Sequence, residues 1–265
     1  KWIKDYKNTQ YDNLKAMTES RSVILVNDHL MMWNFPIEIF DCFEEVYILT
    51  YKFDGQIMRH YYDYHNVNYK KYSVKKLINI YESNNKTSEK DLNAIANRYN
   101  ALSVTWLKNA DKERRKELKD NIYNYFTNRI NGEAYYNMWT TFKDYKKFLK
   151  GKGYTECKLV NEKGKLLLDK NDKQIKQECF VPFNKRAINE YKFKKNLAYI
   201  CNVFIHPDIE KFFSLKGIEY NKDEYALSEL IQWLFRSAIR EYQPINLYIP
   251  SKRMRTLLIN WLYEK

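Results

Sequence analysis

Short apolar runs of strand length alternate with helical stretches along this chain, and the alternation restricts the fold more than any other feature. The runs at 22–27 (SVILVN) and 46–53 (VYILTYKF) predict two buried strands, because β-branched residues between polar flanks are typical of strands. A helix that begins near Pro36 separates them, and 56–65 predicts a second helix. This order predicts a parallel sheet joined by right-handed crossovers.

The later part of the chain repeats the alternation. Strands are predicted at 138–142 (MWTTF), 179–183 (CFVPF) and 245–249 (INLYI), with 197–204 as either a strand or a helix. Helices are predicted at 144–149, 227–240 and 252–262, and a charged hairpin-like excursion at 158–176. Between the two parts, the pattern is helical throughout.

The predicted fold class is therefore α/β, with two parallel-sheet halves separated by a helical insertion. The predicted boundaries are 1–72 for the end of a first α/β domain, 73–135 for the insertion or linker, and 136–265 for a second α/β domain.

A surplus of basic residues bears on the partner. The chain has 46 Lys and Arg against 33 Asp and Glu, a formal net charge of +13. This charge favours a polyanion, because each neutralised phosphate releases condensed counterions. We expect nucleic acid as the partner, DNA rather than RNA, although solubility or the codon usage of an AT-rich genome would also enrich lysine.

Several classes of site find no support. The four cysteines and four histidines show neither CxxC nor HExxH spacing, so a zinc site is not predicted. We expect reduced thiols in the cytoplasm, because the cysteines form no pairs and a chain of this size needs no disulfides, and no membrane partner, because no apolar run approaches the roughly 18 residues of a membrane span. The patterns GxxxxGK[ST], GxGxxG and GxSxG are also absent.

The predicted helix at 226–240 (ALSELIQWLFRSAIR) carries one candidate site. Its leucines share a face that must be buried, whereas Glu229, Gln232, Arg236 and Arg240 fall on the opposite face. Two arginines four residues apart suit phosphate oxygens. The alternative is an ordinary exposed face on which Glu229 pairs with one arginine.

A second candidate lies at the start of the terminal helix, where Ser251 is a good N-cap. Lys252, Arg253 and Arg255 occupy the first turn, where the helix dipole disfavours each cation by about 0.3–1 kcal/mol. An anion docked there would explain the placement, since side chains and free N–H groups would converge on it. Alternatively, the long side chains point away from the dipole.

A third candidate is the run 184–195 (NKRAINEYKFKK), in which Lys185, Arg186 and Lys192 alternate with aromatic residues. Such interleaving suits single-stranded nucleic acid, because bases stack on rings while cations follow the backbone. A loop with two core aromatics would show the same pattern.

Acidic residues follow both early strands, Asp28 after the first and Asp54 after the second. The carboxyl edge of a parallel sheet is where sites form, and two acids there could hold Mg²⁺ for a nuclease or an NTPase. More often, a strand-end aspartate caps the next turn.

Taken in order, these segments resemble the later part of a superfamily 2 helicase of the divergent kind found in phage genomes. The resemblance places the acidic metal-binding pair at Asn27 and Asp28, the hydroxyl-bearing motif at 49–51 (LTY), and the Gln-Arg-Arg helix at Gln232, Arg236 and Arg240. It implies RecA-like halves, ATP and Mg²⁺ as cofactors, and an arginine that stabilises charge on the γ-phosphate. Asn27 replaces the usual aspartate, and the last arginine lies one residue later than expected.

The leading hypothesis is a nucleic-acid-binding, helicase-like motor module, truncated or degenerate, in phage DNA replication or processing, which places it in the cytoplasm of a bacterial host cell. ATP hydrolysis then requires a phosphate loop upstream of Lys1, in a missing N-terminal motor domain, and replication proteins are further expected partners. The alternatives are a non-enzymatic DNA- or RNA-binding protein, a protein-interaction protein, and a Mg²⁺-dependent nuclease that uses Asp28 and Asp54.

Overall fold

The computed structural model describes residues 9, 11–19, 23–26, 30–33, 35–71, 98–161, 165–185 and 189–263. The chain divides into two compact units. One unit comprises 1–50, 57–69 and 205–221, and the other comprises 51–56, 70–204 and 222–265. The boundaries that the sequence predicts at 72 and 135 stay a prediction.

The helices and strands are short. The helices are α1 (Asp12–Glu19), α2 (Ile57–Tyr64), α3 (Val104–Asn109), α4 (Lys112–Asn124), α5 (Lys146–Leu149), α6 (Pro207–Leu215), α7 (Lys222–Leu234) and α8 (Lys252–Tyr263). The strands are β1 (Val23–Val26), β2 (Leu30–Trp33), β3 (Asn137–Thr140), β4 (Glu156–Lys158), β5 (Lys176–Glu178), β6 (Asn196–Tyr199) and β7 (Asn246–Tyr248). Single 3-10 turns lie at Ile37–Cys42, Phe53–Gly55, Ala134–Tyr136, Lys143–Tyr145 and Ala238–Glu241, and a π-helical turn lies at Tyr125–Ile130.

A parallel sheet forms the centre of the second unit. β6 lies between β3 and β7 and pairs in parallel with both. On the outer side of β3, Phe180 extends the sheet through a parallel bridge to Trp139. The α/β class and the parallel sheet that the sequence predicts are therefore confirmed.

Both faces of this sheet are buried, as is typical of parallel sheets. On one face, Leu197 and Tyr199 pack with residues of α7 and α8. On the other face, Trp139 and Ala198 pack with residues of α3 and α4. The alternation follows from the two-residue period of a strand, and it encloses the sheet between two helical layers.

An amide ladder aligns the three named strands at their amino ends. Asn196 donates from Nδ2 to Oδ1 of Asn137 over 3.0 Å and accepts from Nδ2 of Asn246 over 2.9 Å. Nδ2 of Asn137 in turn donates to the carbonyl of Gly153. A shift of one residue in any strand would break these bonds, so the ladder helps to fix the register.

The first unit departs from the predicted parallel arrangement. β1 pairs antiparallel with β2, because only three residues separate them and a hairpin is the connection that such a short link permits. The predicted strand at 46–53 is wrong, since these residues form extended and turn segments, with Tyr47 and Leu49 exposed. The predicted helix near Pro36 is only a six-residue 3-10 segment.

The helix predicted at 56–65 is confirmed as α2, and it packs within the first unit. His60 is buried and stacks on Tyr220, with 4.0 Å between ring centroids, while Tyr64 meets Phe212 edge-on. Aromatic contacts of this kind join α2 to the segment that contains α6.

Most elements predicted in the later part are confirmed. The strands at 138–142 and 245–249 correspond to β3 and β7, the terminal helix to α8, and the ambiguous 197–204 begins as the strand β6. The excursion at 158–176 is antiparallel, with β4 paired to β5 and further bridges at Val160–Leu166 and Leu168–Gln174. No helix in the described part of the chain is both long and apolar enough to cross a membrane.

Candidate functional site at the carboxyl edge of the sheet

The strand order singles out one edge of the parallel sheet. Along the chain β3 comes first, the strand-like segment at Phe180 is added on one side of it, and β6 and then β7 are added on the other. The direction of the connections thus reverses at β3. In α/β sheets, ligands bind beyond the carboxyl ends of the strands at such a switch point. We call this side, formed by 140–143, 200–202 and 249–252, the carboxyl edge.

Two threonines lie where β3 meets the carboxyl edge: Thr140 is the last residue of the strand and Thr141 follows it. The hydroxyl groups of Thr140 and Thr141 are buried, and neither has a hydrogen-bond partner within the described part of the protein. A buried hydroxyl without a partner costs about 1–3 kcal/mol, so the pair is suited to bind an oxygen-rich group. Lys143 lies two residues after Thr141. It is exposed and occupies the first position of a 3-10 turn.

Arg253 connects the end of β6 to α8 and is buried. Its guanidinium donates to Oδ1 of Asn202 over 2.8 Å and to the carbonyl of Val203 over 2.9 Å. It also forms an ion pair with Asp223 at 2.7 Å and lies over the ring of Phe204. The sequence predicts an anion site at Arg253, but in this structure its guanidinium binds protein groups.

The turn from β7 into α8 is fixed in a similar way. Oγ of Ser251 accepts a hydrogen bond from the backbone N–H of Met254, which confirms the predicted cap. The guanidinium of Arg255 donates to the carbonyls of Ile249 and Pro250, over 2.9 and 2.7 Å. Of the three predicted cations, Lys252 is the exposed one.

The carboxyl edge therefore presents two exposed lysines. Lys143 follows β3 and Lys252 follows β7, and the two strands are separated by two strand spacings, about 10 Å. The carboxyl end of β6 lies between the two strands, and Lys252 begins α8, whose first N–H groups carry partial positive charge. This arrangement suits an extended anion with more than one charged group.

The predicted polar face of 226–240 is not an exposed face. α7 ends at Leu234, and both Glu229 and Arg236 are buried. The guanidinium of Arg236 donates to the carbonyls of Pro182 and Phe183, over 2.8 and 2.9 Å. Arg236 therefore connects the turn after α7 to the segment at Pro182 and Phe183, and its guanidinium binds protein carbonyls.

The segment Tyr51–Gln56 also packs along α7. The ring of Tyr51 stacks on Phe235 at 3.8 Å, and Lys52 forms an ion pair with Glu224 at 2.9 Å. Gly55 lies directly on the backbone of Glu224, where an added Cβ would come within 2.0 Å of the carbonyl oxygen. The amphipathic pattern of α7 alone could not reveal this second covering layer.

Arg240 and Gln232 lie apart from the carboxyl edge. Arg240 is exposed in a 3-10 turn and donates to Oδ1 of Asn189. This turn begins at Ala238, whose N–H donates to the carbonyl of Lys194, two residues before β6, so it lies toward the amino ends of the strands. Nε2 of Gln232 is buried without a hydrogen-bond partner among the described residues.

The basic run at 184–195 packs its rings on the protein. Tyr191 is buried in the core, and Phe193 stacks on Tyr135 at 4.3 Å. The structure thus agrees with a loop that contains core aromatics. Lys185 and Lys192 are exposed and lie 3.5 Å from Glu190 and 3.7 Å from Glu241, respectively. Arg186 lies outside the described residues.

No donor set for a metal occurs in the described ranges of the chain. No three His, Cys, Asp or Glu residues there are grouped to hold an ion. Asp54 lies in a 3-10 turn, not at a strand end, and its carboxylate pairs with Lys71. Asp28 and its neighbours Asn27 and His29 lie outside the described residues, so ATP and Mg²⁺ stay predictions.

Sequence reasoning missed Thr140, Thr141 and Lys143. The signal was available, because Thr140 and Thr141 lie in the second half of the predicted strand MWTTF and Lys143 directly follows it. The strand-end argument that selected Asp28 applies equally to them. The prediction considered only acidic residues at strand ends, whereas side chains that bind phosphate carry hydroxyl or amine groups.

A family described as the YonV C-terminal Rossmann-like domain matches residues 72–262. The chain is also similar to the SPbeta prophage-derived uncharacterized protein YonV of Bacillus subtilis (strain 168), at 40% identity over 276 residues. That match covers 98% of this chain and 62% of the relative, so the chain spans less than two thirds of the relative's length. No solved structure matches the chain.

Proposed function

Because this chain belongs to the family of YonV C-terminal Rossmann-like domains, we propose that it is a helicase-like module that binds the phosphate backbone of a nucleic acid at the carboxyl edge of its sheet. Single-stranded DNA is the proposed form. The relative's prophage origin agrees with a role in phage DNA replication or processing.

The observation that carries this proposal is the chemistry at the switch point. Lys143 and Lys252 supply two exposed cations, while the hydroxyls of Thr140 and Thr141 have no partners in the described structure but are buried, so their contact with a phosphate requires local opening of this edge. Lysine and threonine side chains and the start of a helix are groups that contact phosphate oxygens in nucleic-acid complexes. The net charge of +13 favours the same class of partner.

The helicase-like part of the proposal rests on a second contact. The resemblance assigns 49–51 to one motif and Gln232, Arg236 and Arg240 to another. Tyr51 of the first stacks on Phe235, inside the second. We assign Arg240, which is exposed, to the phosphates of ATP bound with Mg²⁺ by another part of a longer protein, because the phosphate-loop pattern is absent here.

A titration of labelled single-stranded DNA between 50 and 200 mM salt tests the carboxyl edge. The variant Lys143→Met/Lys252→Met should bind more weakly and should reduce the slope of log K against log salt by about 1.4, because each phosphate contact on a single strand contributes about 0.7. The matched control is Lys112→Met/Lys119→Met, which removes the same charge from two exposed lysines of α4 and should leave the slope unchanged.

Two outcomes would contradict the proposal. Equal losses in both double variants would mean that net charge, and not the carboxyl edge, determines binding. Absence of binding by the unmodified chain at 50 mM salt would favour a protein partner, whose apolar contacts depend less on salt.

A further inference from the structure

A lysine and two cysteines meet in the interior of the second unit, away from the carboxyl edge. Cys157 is the central residue of β4, opposite Gln177 of β5. Cys179 follows β5, and its N–H donates to the carbonyl of Thr155. The two cysteines are thus diagonal neighbours on one face of an antiparallel pair, about 7–8 Å apart, so a disulfide between them requires a small shift of the strands. Lys194, fully buried, approaches from the segment before β6.

The contacts of Lys194 make Cys157 its anionic partner. Nζ of Lys194 lies 2.6 Å from the carbonyl of Tyr135 and 3.3 Å from Sγ of Cys157. The ring of Phe193 is 4.8 Å away. Because a buried ammonium is costly without a negative partner, these contacts favour a thiolate at Cys157.

The second thiol acts in the same direction. The Cys179 thiol, which lies beside Cys157 and is 3.5 Å from the carbonyl of Ala134, together with the Lys194 ammonium, lowers the pKa of Cys157 to about 6. The neighbouring Cys157 and burial raise the pKa of Cys179 far above its ordinary value, so Cys179 keeps its proton. One sulfur is therefore a nucleophile, and its neighbour is a thiol that can resolve an oxidised form of it.

We propose that Cys157 and Cys179 form a peroxide-sensitive redox pair that closes into a disulfide. The Cys157 thiolate attacks one oxygen of hydrogen peroxide, the O–O bond breaks, and hydroxide leaves, which gives a sulfenic acid. The Cys179 sulfur then attacks the sulfur of that sulfenic acid. The S–O bond breaks, the thiol proton and the released hydroxide combine as water, and an S–S bond remains. Two electrons pass to the peroxide.

Hydrogen peroxide is small enough to reach this site through local opening. β4 and β5 have three residues each, so access to the two cysteines, which lie in the buried core, requires only a short strand pair to open. Cys201 differs, because burial raises the pKa of its thiol and leaves it unreactive. Cys42 is exposed and serves as an internal reference for ordinary thiol oxidation.

Closure of the pair would change the excursion at 158–176. The disulfide would join both ends of this segment, which carries the exposed leucines Leu166 and Leu168. It would also remove the thiolate beside Lys194. Oxidation therefore fixes the base of the excursion and alters the charge balance at the start of β6.

Limited trypsin digestion tests the proposal, because Lys165, Lys170 and Lys173 lie in the excursion between the two cysteines. The full chain is treated with hydrogen peroxide, alkylated, cut, and run on a denaturing gel without reductant. We expect the two large fragments to stay joined after peroxide, to separate in dithiothreitol, and to separate without peroxide.

Variants assign the bond. Cys157→Ser and Cys179→Ser should each abolish the joined species, whereas Cys42→Ser and Cys201→Ser should retain it. Peptide masses of the unmodified chain give a second readout that does not depend on how the variants fold. The proposal is overturned if the fragments separate after peroxide, if the joined species persists in Cys179→Ser, or if the cross-linked peptide contains Lys194 in place of Cys179.

Discussion

At the scale of single residues, neighbours in sequence have opposite roles. Lys252 and Arg253 both lie in the first turn of α8, and a sequence pattern cannot separate them. Lys252 is exposed, whereas Arg253 is buried against Asp223 and the end of β6. The direction in which each side chain leaves the helix decides the role, and that direction depends on where α8 lies against the sheet.

This difference predicts unequal effects on stability. Arg253→Met should lower the free energy of unfolding by about 2–3 kcal/mol, because the carbonyl of Val203 and the amide oxygen of Asn202 lose their donor. Lys252→Met should change it by less than about 0.5 kcal/mol. Urea denaturation of both variants measures the difference, and equal stabilities would show that Arg253 is not an internal brace.

Cys157 predicts a pH dependence of stability. Its pKa is lower in the folded chain than in the unfolded chain, so in the interval between the two values the unfolded state binds more protons. The free energy of unfolding contributed by Cys157 should therefore rise from about pH 6 to about pH 9 and be lost as pH falls. The raised pKa of Cys179 acts only above this interval.

Urea denaturation at several pH values in this interval measures the effect, with Cys157→Ser as the comparison and Cys201→Ser as the control. The slope should disappear in the first variant and persist in the second. A slope that persists in Cys157→Ser would assign it to other groups and contradict a thiolate at this position.

At the scale of elements, local patterns predicted most of the strands of the parallel sheet and of the helices that pack on it. MWTTF and INLYI became β3 and β7, and the Ser251 cap began α8 as expected. The pattern failed for the residues of α7 and the turn after it, because distant segments pack on them: Arg236 binds the carbonyls of Pro182 and Phe183, and Tyr51–Gln56 packs on the helix. Amphipathicity reports which side of a helix meets apolar groups, but it cannot detect polar residues buried by distant segments.

Gly55 tests that packing. In Gly55→Ala, the new Cβ would meet the backbone carbonyl of Glu224, which cannot move without disturbing α7. We expect a loss of about 1–3 kcal/mol in the free energy of unfolding. Lys71→Met, which removes the exposed pair with Asp54, is the control and should cost less than about 0.5 kcal/mol. A Gly55→Ala variant as stable as this control would show that the segment does not pack on α7.

At the scale of the whole molecule, composition favours a polyanionic partner but does not say where such a partner would bind. The net charge of +13 says nothing about which lysines are exposed. The structure separates buried cations such as Lys194, Arg236 and Arg253 from exposed ones such as Lys143. Only the strand order, which depends on long-range pairing, places Lys143 and Lys252 on the same edge.

The most direct measurement is hydrogen–deuterium exchange of the chain with and without single-stranded DNA at low salt. If DNA binds at the carboxyl edge, exchange should slow in peptides that cover 140–145, after β3, and 250–256, at the start of α8. Exchange at the Arg240 turn should not change unless a nucleotide is also bound. Protection confined to the excursion or to the Arg240 turn, with exchange at the carboxyl edge unchanged, would contradict DNA binding at the carboxyl edge.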